Sequence, residues 1–424
     1  MKLTKDTFLR ATGRISQGRI ATHGNLHAFL ITGMDDGTSV DVLFYTDAGD
    51  YKIMTCAPLV NARFSSGTVE LLEGKLFVAG VPNSGLPFVA EFDVTKDASG
   101  LPATLQFGTS FVYGSLLGRG QVFTKLSDGT LICWTVQQSP NTVVERARRD
   151  TNGVWSKDVV FVCSSFFGAT LSSHAFDLAI HPADKTVRFY SSLDGSQRVI
   201  QAVFSADGKT LERTDVEFCH ATTVNGIYMQ GTRSPNGELP RIAAVADPAR
   251  NQIVLAFTNY KWLRIGINQQ IASPIVLVGA PVNSDPVAMG VTTEWMAHNE
   301  ESIGLVVKPN EILVTYPPIA PNLTGYEKKN QTVWRNGFFQ PEITTVAATK
   351  RNVFGYRPDV SHFIVIAPDS SIRFINAEPD VPVQVNSFAA LRVATEALDL
   401  TTVDGLVLRD KLTSTLKLLE TKLQ

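Results

Sequence analysis

Disulfide and zinc chemistry have little to work with in this chain. It holds four cysteines, Cys56, Cys133, Cys163 and Cys219, far apart and without Cys-x-x-Cys spacing. Each lies in an apolar, strand-like run such as Ile132-Cys133-Trp134. That pattern predicts buried free thiols in a reducing compartment or one where oxidation is irrelevant, not a disulfide framework or a clustered zinc centre. Neither a metal nor any other cofactor is expected. Charge is scarce too. Only 18% of the 424 residues are charged, against about 25% in ordinary globular proteins, and the net charge is −2. A basic face for nucleic acid is therefore not expected. The densest basic spot, Arg146 with Arg148 and Arg149, reads as a solvated loop. No window approaches 18 uninterrupted apolar residues, so no membrane-spanning helix is expected. The opening Met1-Lys2-Leu3-Thr4-Lys5-Asp6 lacks the apolar stretch of a secretory leader, which predicts cytoplasmic synthesis.

Spaced catalytic signatures are also missing. There is no phosphate-binding Gly-x-x-x-x-Gly-Lys loop, no Gly-x-Gly-x-x-Gly fingerprint, no Gly-x-Ser-x-Gly elbow and no His-Glu-x-x-His. His298-Asn299-Glu300-Glu301 reads as a solvated loop. No catalytic, cofactor-binding or metal-ligating residue is assigned on this basis. Among the seven histidines, His27 and His174 each open a His-Ala-Phe tripeptide. Such an imidazole either fastens a neighbouring loop at a sheet edge or converges with others to act as acid, base or ligand. The acids Asp36, Asp128 and Asp207 sit in tight turns, where the side chain serves the turn itself.

What the chain does have is a recurring cassette: an apolar strand, a tight polar turn and a second apolar strand. The turns are Met34–Thr38, Glu73-Gly74, Ser127–Thr130, His181–Asp184, Asp247–Arg250, Lys308–Asn310 and Pro368–Ser371. Copies recur about every 40–65 residues, the regime of radial and stacked arrays. The fourth copy adds Arg198–Phe204 and, past Ala206-Asp207-Gly208, Leu211–Phe218, making one four-stranded antiparallel meander. A sheet with two apolar faces must be covered on both sides, and radial repetition does so. The expected fold is all-β: one β-propeller of about seven four-stranded antiparallel blades over residues 25–385. The last copy is a strand short, so a strand within residues 1–24 is expected to close the ring.

From Asn386 the pattern turns helical, predicting a C-terminal helical appendage over residues 386–424. Leu408, Leu412, Leu416, Leu419 and Leu423 fall on one stripe of a helix running from Val403 to Gln424. The stripe either packs on the propeller or forms a seam with another chain. Trp134 reads as core. Tyr260 and Trp262, at a hairpin tip, are candidates for a stacking contact with a sugar or partner, against a packed role between blades.

The turns His181–Val187, Asp247–Ile253 and Ala367–Ile372 resemble the hairpins of WD-repeat-like and lactonase-like propellers, without the Trp-Asp and Gly-His dipeptides of true WD repeats. Ser205-Ala206-Asp207-Gly208-Lys209-Thr210 resembles part of the Asp-box of sialidase-type propellers, with Leu211 where an aromatic would follow. The Thr/Val/Asn-rich composition and amphipathic tail look like those of a phage virion or tail component. These likenesses imply a non-enzymatic structural or binding propeller, assembled into a virion through protein partners or itself, with a glycan as a further candidate ligand. The alternative is an enzyme at the mouth of the channel, a lactonase-like or sialidase-like hydrolase. Propellers host both.

Overall fold

The computed structural model describes residues 13–14, 20–33, 40–59, 64–82, 85–114, 118–137, 143–162, 171–193, 199–219, 242–259, 262–268, 276–277, 304–308, 311–316, 332–335, 338–340, 362–366 and 372–376. These form strands throughout, with two single-turn 3-10 segments, Ala57–Leu59 and Pro248–Arg250, and no α-helix among the described residues.

Seven antiparallel sheets follow one another along the chain. The first holds β1 (Gly13–Arg14), β2 (Ala21–His23), β3 (Leu26–Gly33), β4 (Val40–Thr46) and β5 (Tyr51–Thr55). The second holds β6 (Phe64–Leu72), β7 (Lys75–Pro82), β8 (Phe88–Lys96) and β9 (Pro102–Val112). The third holds β10 (Gly118–Lys125), β11 (Leu131–Gln137), β12 (Val143–Arg149) and β13 (Trp155–Val162). The fourth holds β14 (Leu171–Ile180), β15 (Val187–Leu193), β16 (Val199–Phe204) and β17 (Leu211–Cys219). The fifth holds β18 (Ile242–Asp247), β19 (Gln252–Asn259), β20 (Trp262–Asn268) and β21 (Val276–Leu277). The sixth holds β22 (Gly304–Lys308), β23 (Glu311–Tyr316), β24 (Thr332–Arg335) and β25 (Phe338–Gln340). The last pairs β26 (His362–Ile366) with β27 (Ile372–Asn376).

The first strands of successive sheets lie side by side, β2 and β3 against β6, then β6, β10, β14, β18 and β22 in turn. Apolar clusters fill the gaps between sheets. Val42 and Phe44 meet Val69 and Val78 between the first and second sheets. Phe77 and Val89 meet Phe123 and Cys133 between the second and third. Trp134 and Val144 meet Phe176 and Phe189 between the third and fourth. Tyr190 meets Ile242 and Leu255 between the fourth and fifth. Inner and middle strands are therefore covered on both faces. They read as nearly continuous buried runs, as in Leu131–Val136, instead of alternating. Outer strands alternate or lie open, as in Tyr51–Thr55. This is an all-β propeller with four-stranded antiparallel blades.

Two expectations need correction. About seven four-stranded blades is not what the described residues show: five sheets have four strands, the first has five and the last has two. Second, the first cassette is out of phase with the others. Phe29-Leu30-Ile31 belongs to β3, the second position of its sheet, because β1 and β2 occupy the inner edge of β3 as one interrupted strand. Gly13 faces Gly33, Arg14 faces Thr32 and Thr22 faces His27. That strand is short and polar, so it left no apolar signal. Within residues 1–24 the described strands β1 and β2 pair with β3. The expected closing contact of this segment with the last sheet lies outside the described residues. A contact division sets Met1–Ala377 apart from Glu378–Gln424. The tail stripe Leu408, Leu412, Leu416, Leu419 and Leu423 lies outside the described residues, as does Asp36.

Candidate functional site

Register builds a line of polar groups on one face of the first sheet. Thr22 on β2 is opposite His27 on β3, and His27 is opposite Tyr45 on β4. Directly paired residues share a face with Cβ atoms about 5 Å apart, so the three side chains must meet. The His27 ring stacks on Tyr45 with centroids 4.8 Å apart. Thr22 Oγ1 is 3.0 Å from His27 Nδ1. His27 Nε2 is 2.8 Å from Asp47 Oδ1, in the turn after β4. A carboxylate only accepts, so Nε2 carries the proton given to Asp47 and Nδ1 accepts from the Thr22 hydroxyl. The imidazole is 3% exposed and Thr22 is half-buried. The Asp47 side chain is 55% exposed, which leaves one end of the line open to solvent.

Asp47 departs from a pattern shared by four other glycine turns. Gly49, Gly100, Gly129, Gly153 and Gly208 all have positive φ and donate N–H to the carbonyl three residues earlier. In these turns Asp97, Asp128, Asp150 and Asp207 accept backbone N–H groups of their own turn, from Ser99, Thr130, Asn152 and Lys209. Those bonds hold the Asp128 carboxyl below the usual range, and the Ser205 hydroxyl with the Lys209 N–H does the same for Asp207. This bears out the turn role expected of Asp128 and Asp207. Asp47 turns to the imidazole instead.

Next to this line the inner strands converge. Lys125, at the end of β10, places Nζ 3.5 Å from the Thr22 carbonyl oxygen and 3.3 Å from that of Leu71 on β6. Glu70 Oε1, buried, lies 3.9 Å from the same ammonium and accepts the Leu71 N–H at 3.0 Å. Asp177 ties inner strands in the same manner, accepting the Leu178 N–H on β14 and the Ala244 N–H on β18, both at 2.8 Å.

The three arginines expected in a solvated loop are in fact on strand β12 and join sheets. Arg149 gives two hydrogen bonds to Glu91 of the second sheet, at 3.0 and 3.3 Å. Arg146 grips Asp158 and donates to the carbonyls of Gly208 and Lys209 in the fourth sheet. Arg148 donates to the Asp207 carbonyl. Arg146 also lies over the Trp134 ring at 5.3 Å, and Trp134 is fully buried, as expected for core. Alternation made the trio visible only as a cluster. On the strand Arg146 and Arg148 face the Asp207–Lys209 turn of the fourth sheet, and Arg149 faces Glu91 of the second.

Among the described residues no group of three His, Cys, Asp or Glu side chains is placed to hold a metal. Cys56 and Cys133 are buried free thiols, each pushed up to about 12 by burial above all. His27 and His174 share a tripeptide but not a position, since His27 is on the second strand of its sheet and His174 on the first. Tyr260 is outside the described residues, and Trp262 is described only as the opening backbone position of β20. The sequence flagged His27 but missed Asp47 and Thr22. The usable signal was Asp47, Asp97 and Asp150, each two or three residues before a glycine and about 50 residues apart.

No protein-family description and no curated protein matches the sequence. Solved structures similar in shape include a Trypanosoma rangeli sialidase bound to the inhibitor DANA (12% identity, TM-score 0.42, 74% of this chain and 57% of that one). Another is an α-L-arabinofuranosidase from Fusarium graminearum bound to an iminosugar inhibitor (13%, 0.45, 78% and 96%). A third is a polysaccharide lyase acting on ulvan (10%, 0.49, 89% and 95%). The chain thus spans little more than half the length of the sialidase. At these identities and TM-scores, none of the three carries an activity over to this chain.

Proposed function

We propose that the protein is a hydrolase acting where the inner strands end, with His27 as its proton-transfer group. One observation carries this reading: hydroxyl, imidazole and carboxylate stand in line, Thr22 to His27 at 3.0 Å and His27 to Asp47 at 2.8 Å. That order suits removal of the Thr22 hydroxyl proton as its oxygen attacks an ester carbonyl; the imidazolium returns that proton to the departing alkoxide, and a water deprotonated by the same imidazole then releases the acid and restores Thr22. Asp47 holds the tautomer and offsets the imidazolium as it forms. Lys125, beside the Thr22 carbonyl, supplies positive charge near the developing oxyanion. The reading favours an ester or lactone over a sialoside. A sialoside carboxylate needs an arginine cluster, and Arg146, Arg148 and Arg149 are each bonded between strands or sheets.

The test is hydrolysis of a panel of lactones and aryl esters by the wild type and by His27→Gln, Asp47→Asn and Thr22→Val. His27→Gln and Thr22→Val should each lower kcat/KM by about 100-fold or more. A wild type inert towards the whole panel, or a rate that survives His27→Gln, overturns the proposal.

A binding or assembly propeller is the second reading. It is favoured by the number of charged side chains that fasten one sheet to the next, which suits a rigid scaffold. Such a protein needs no turnover, and His27 would then only strap the β4–β5 turn to β2. It predicts that His27→Gln changes stability alone.

A further inference from the structure

We propose that β9 is a self-association edge, pairing antiparallel across a two-fold axis with β9 of a second copy of this chain. The strand is last in the order β6-β7-β8-β9, and no other described strand lies on its outer side. It runs for 11 residues, roughly 37 Å, and eight of them are exposed. Phe107 is 40% and Val112 49% exposed.

Its chemistry sets it apart from the outer edges of the first, third and fourth sheets. Natural edges are guarded by charge, above all lysine. β5 carries Lys52, β13 carries Lys157 and Asp158, and β17 carries Glu212 and Arg213. Residues 98 to 118, which include all of β9, contain no charged residue. That neutrality points to a second copy. Across a two-fold axis each residue meets its mirror position or a near neighbour, so a charged strand sets like charges together and is repelled. A neutral strand meets no such penalty at any register. Its exposed Thr104, Gln106, Thr109 and Ser110 each donate and accept, so each can pair with its own kind.

The edge is also ordered before any partner arrives. Phe107 packs edge-on against Phe92 at 5.7 Å, and Phe111 stacks on Trp155 of the third sheet at 5.9 Å. Lys52 of the first sheet caps the Pro102 carbonyl at 2.9 Å. Little ordering remains to oppose pairing. Bulges at Ala103 and Gly108 interrupt the edge, leaving the stretches 104–107 and 109–112.

Sedimentation of the full chain over a range of concentrations tests this, with hydrogen exchange on the same samples. The wild type should approach twice the monomer mass, with amides 103 to 112 slowing as the dimer fills. Gln106→Lys/Ser110→Lys should sediment as a monomer that still unfolds cooperatively, with a melting temperature independent of concentration. If that double variant fails to fold, Ser110→Lys alone takes its place. Leu416→Ser/Leu419→Ser should leave the dimer intact. A wild type that stays monomeric at every concentration overturns the proposal. So does a dimer that survives the lysine substitutions with β9 amides unchanged.

Discussion

The arginines of β12 and the histidine of β3 are wired in opposite ways. Arg146, Arg148 and Arg149 each reach a partner 58 to 63 residues away, on a different sheet. His27 reaches partners 5 and 20 residues away, both on its own sheet. The first group holds sheets in position against each other. The second is assembled by one meander and can be altered without loosening a joint between sheets. Reactive groups are best placed on a rigid frame that does not depend on them.

The largest effect should therefore come from Arg146→Ala. It strips the Gly208 and Lys209 carbonyls of their donor, leaves Asp158 without its partner and removes the cation from the Trp134 face. Breaking a buried charged contact of this kind costs about 3 kcal/mol in a denaturant titration. Asp158→Ala should cost about 1 kcal/mol, because that carboxylate is nearly half exposed. If Arg146→Ala proves no worse than His27→Gln, the contrast between the two groups fails.

Glu91→Gln comes next. Burial pushes this carboxyl up, but hydrogen bonds from Lys75 and Arg149 and the charges of both outweigh it and hold it below the ordinary range. A depressed acid stabilises the fold above its unfolded pKa, and that stabilisation is lost as pH falls through the folded value. The substitution should therefore cost about 2 kcal/mol at neutral pH and progressively less as the pH is lowered below the ordinary carboxylate range. Denaturant midpoints across that pH range check it. A penalty that stays constant with pH would mean packing, not charge, joins the second and third sheets.

His27→Gln sharpens the comparison from the other side. Losing the Tyr45 stack and two hydrogen bonds should lower stability by only about 1–2 kcal/mol. Hydrolysis should be lost. A melting temperature that falls as far as for Arg146→Ala would make His27 a structural strap.

How much of this could be read from the sequence follows from the same wiring. Strand and turn signals are local, so the meander of the fourth sheet, the Asp128 and Asp207 turns and the buried Trp134 were legible. A strand within residues 1–24 was legible, but its place as the inner strand of the first sheet was not, because Ala21-Thr22-His23 has no apolar period and is placed by the register of a hairpin. The β12 arginines were visible as a basic cluster. Their partners, Glu91 and the carbonyls of Asp207, Gly208 and Lys209, lie about 60 residues away, which no local pattern reveals. The His27 line fell in between: the histidine stood out, while Asp47 looked like any other turn acid.

The smallest effect separates a turn that stands alone from one pressed onto a neighbour. Gly100 and Gly208 occupy equivalent hairpin turns with φ of +85° and +69°. An alanine in that left-handed region costs about 1 kcal/mol from the backbone alone. At Gly100 a new Cβ meets nothing closer than the Asn25 side chain at 3.9 Å, so Gly100→Ala should cost that much and no more. At Gly208 the Cβ would lie 2.6 Å from Ile132 Cδ1, a methyl on the third sheet. That methyl can rotate away, for an additional penalty of about 0.5–1 kcal/mol. The excess for Gly208→Ala should persist in an Arg146→Ala background, because it arises at Ile132 and not at the guanidinium. If it disappears there, the turn is seated by the arginine and not by the apolar contact. Equal costs at the two glycines would show that the fourth sheet does not press on the third at this turn, and the picture of β12 as a joint would have to be given up.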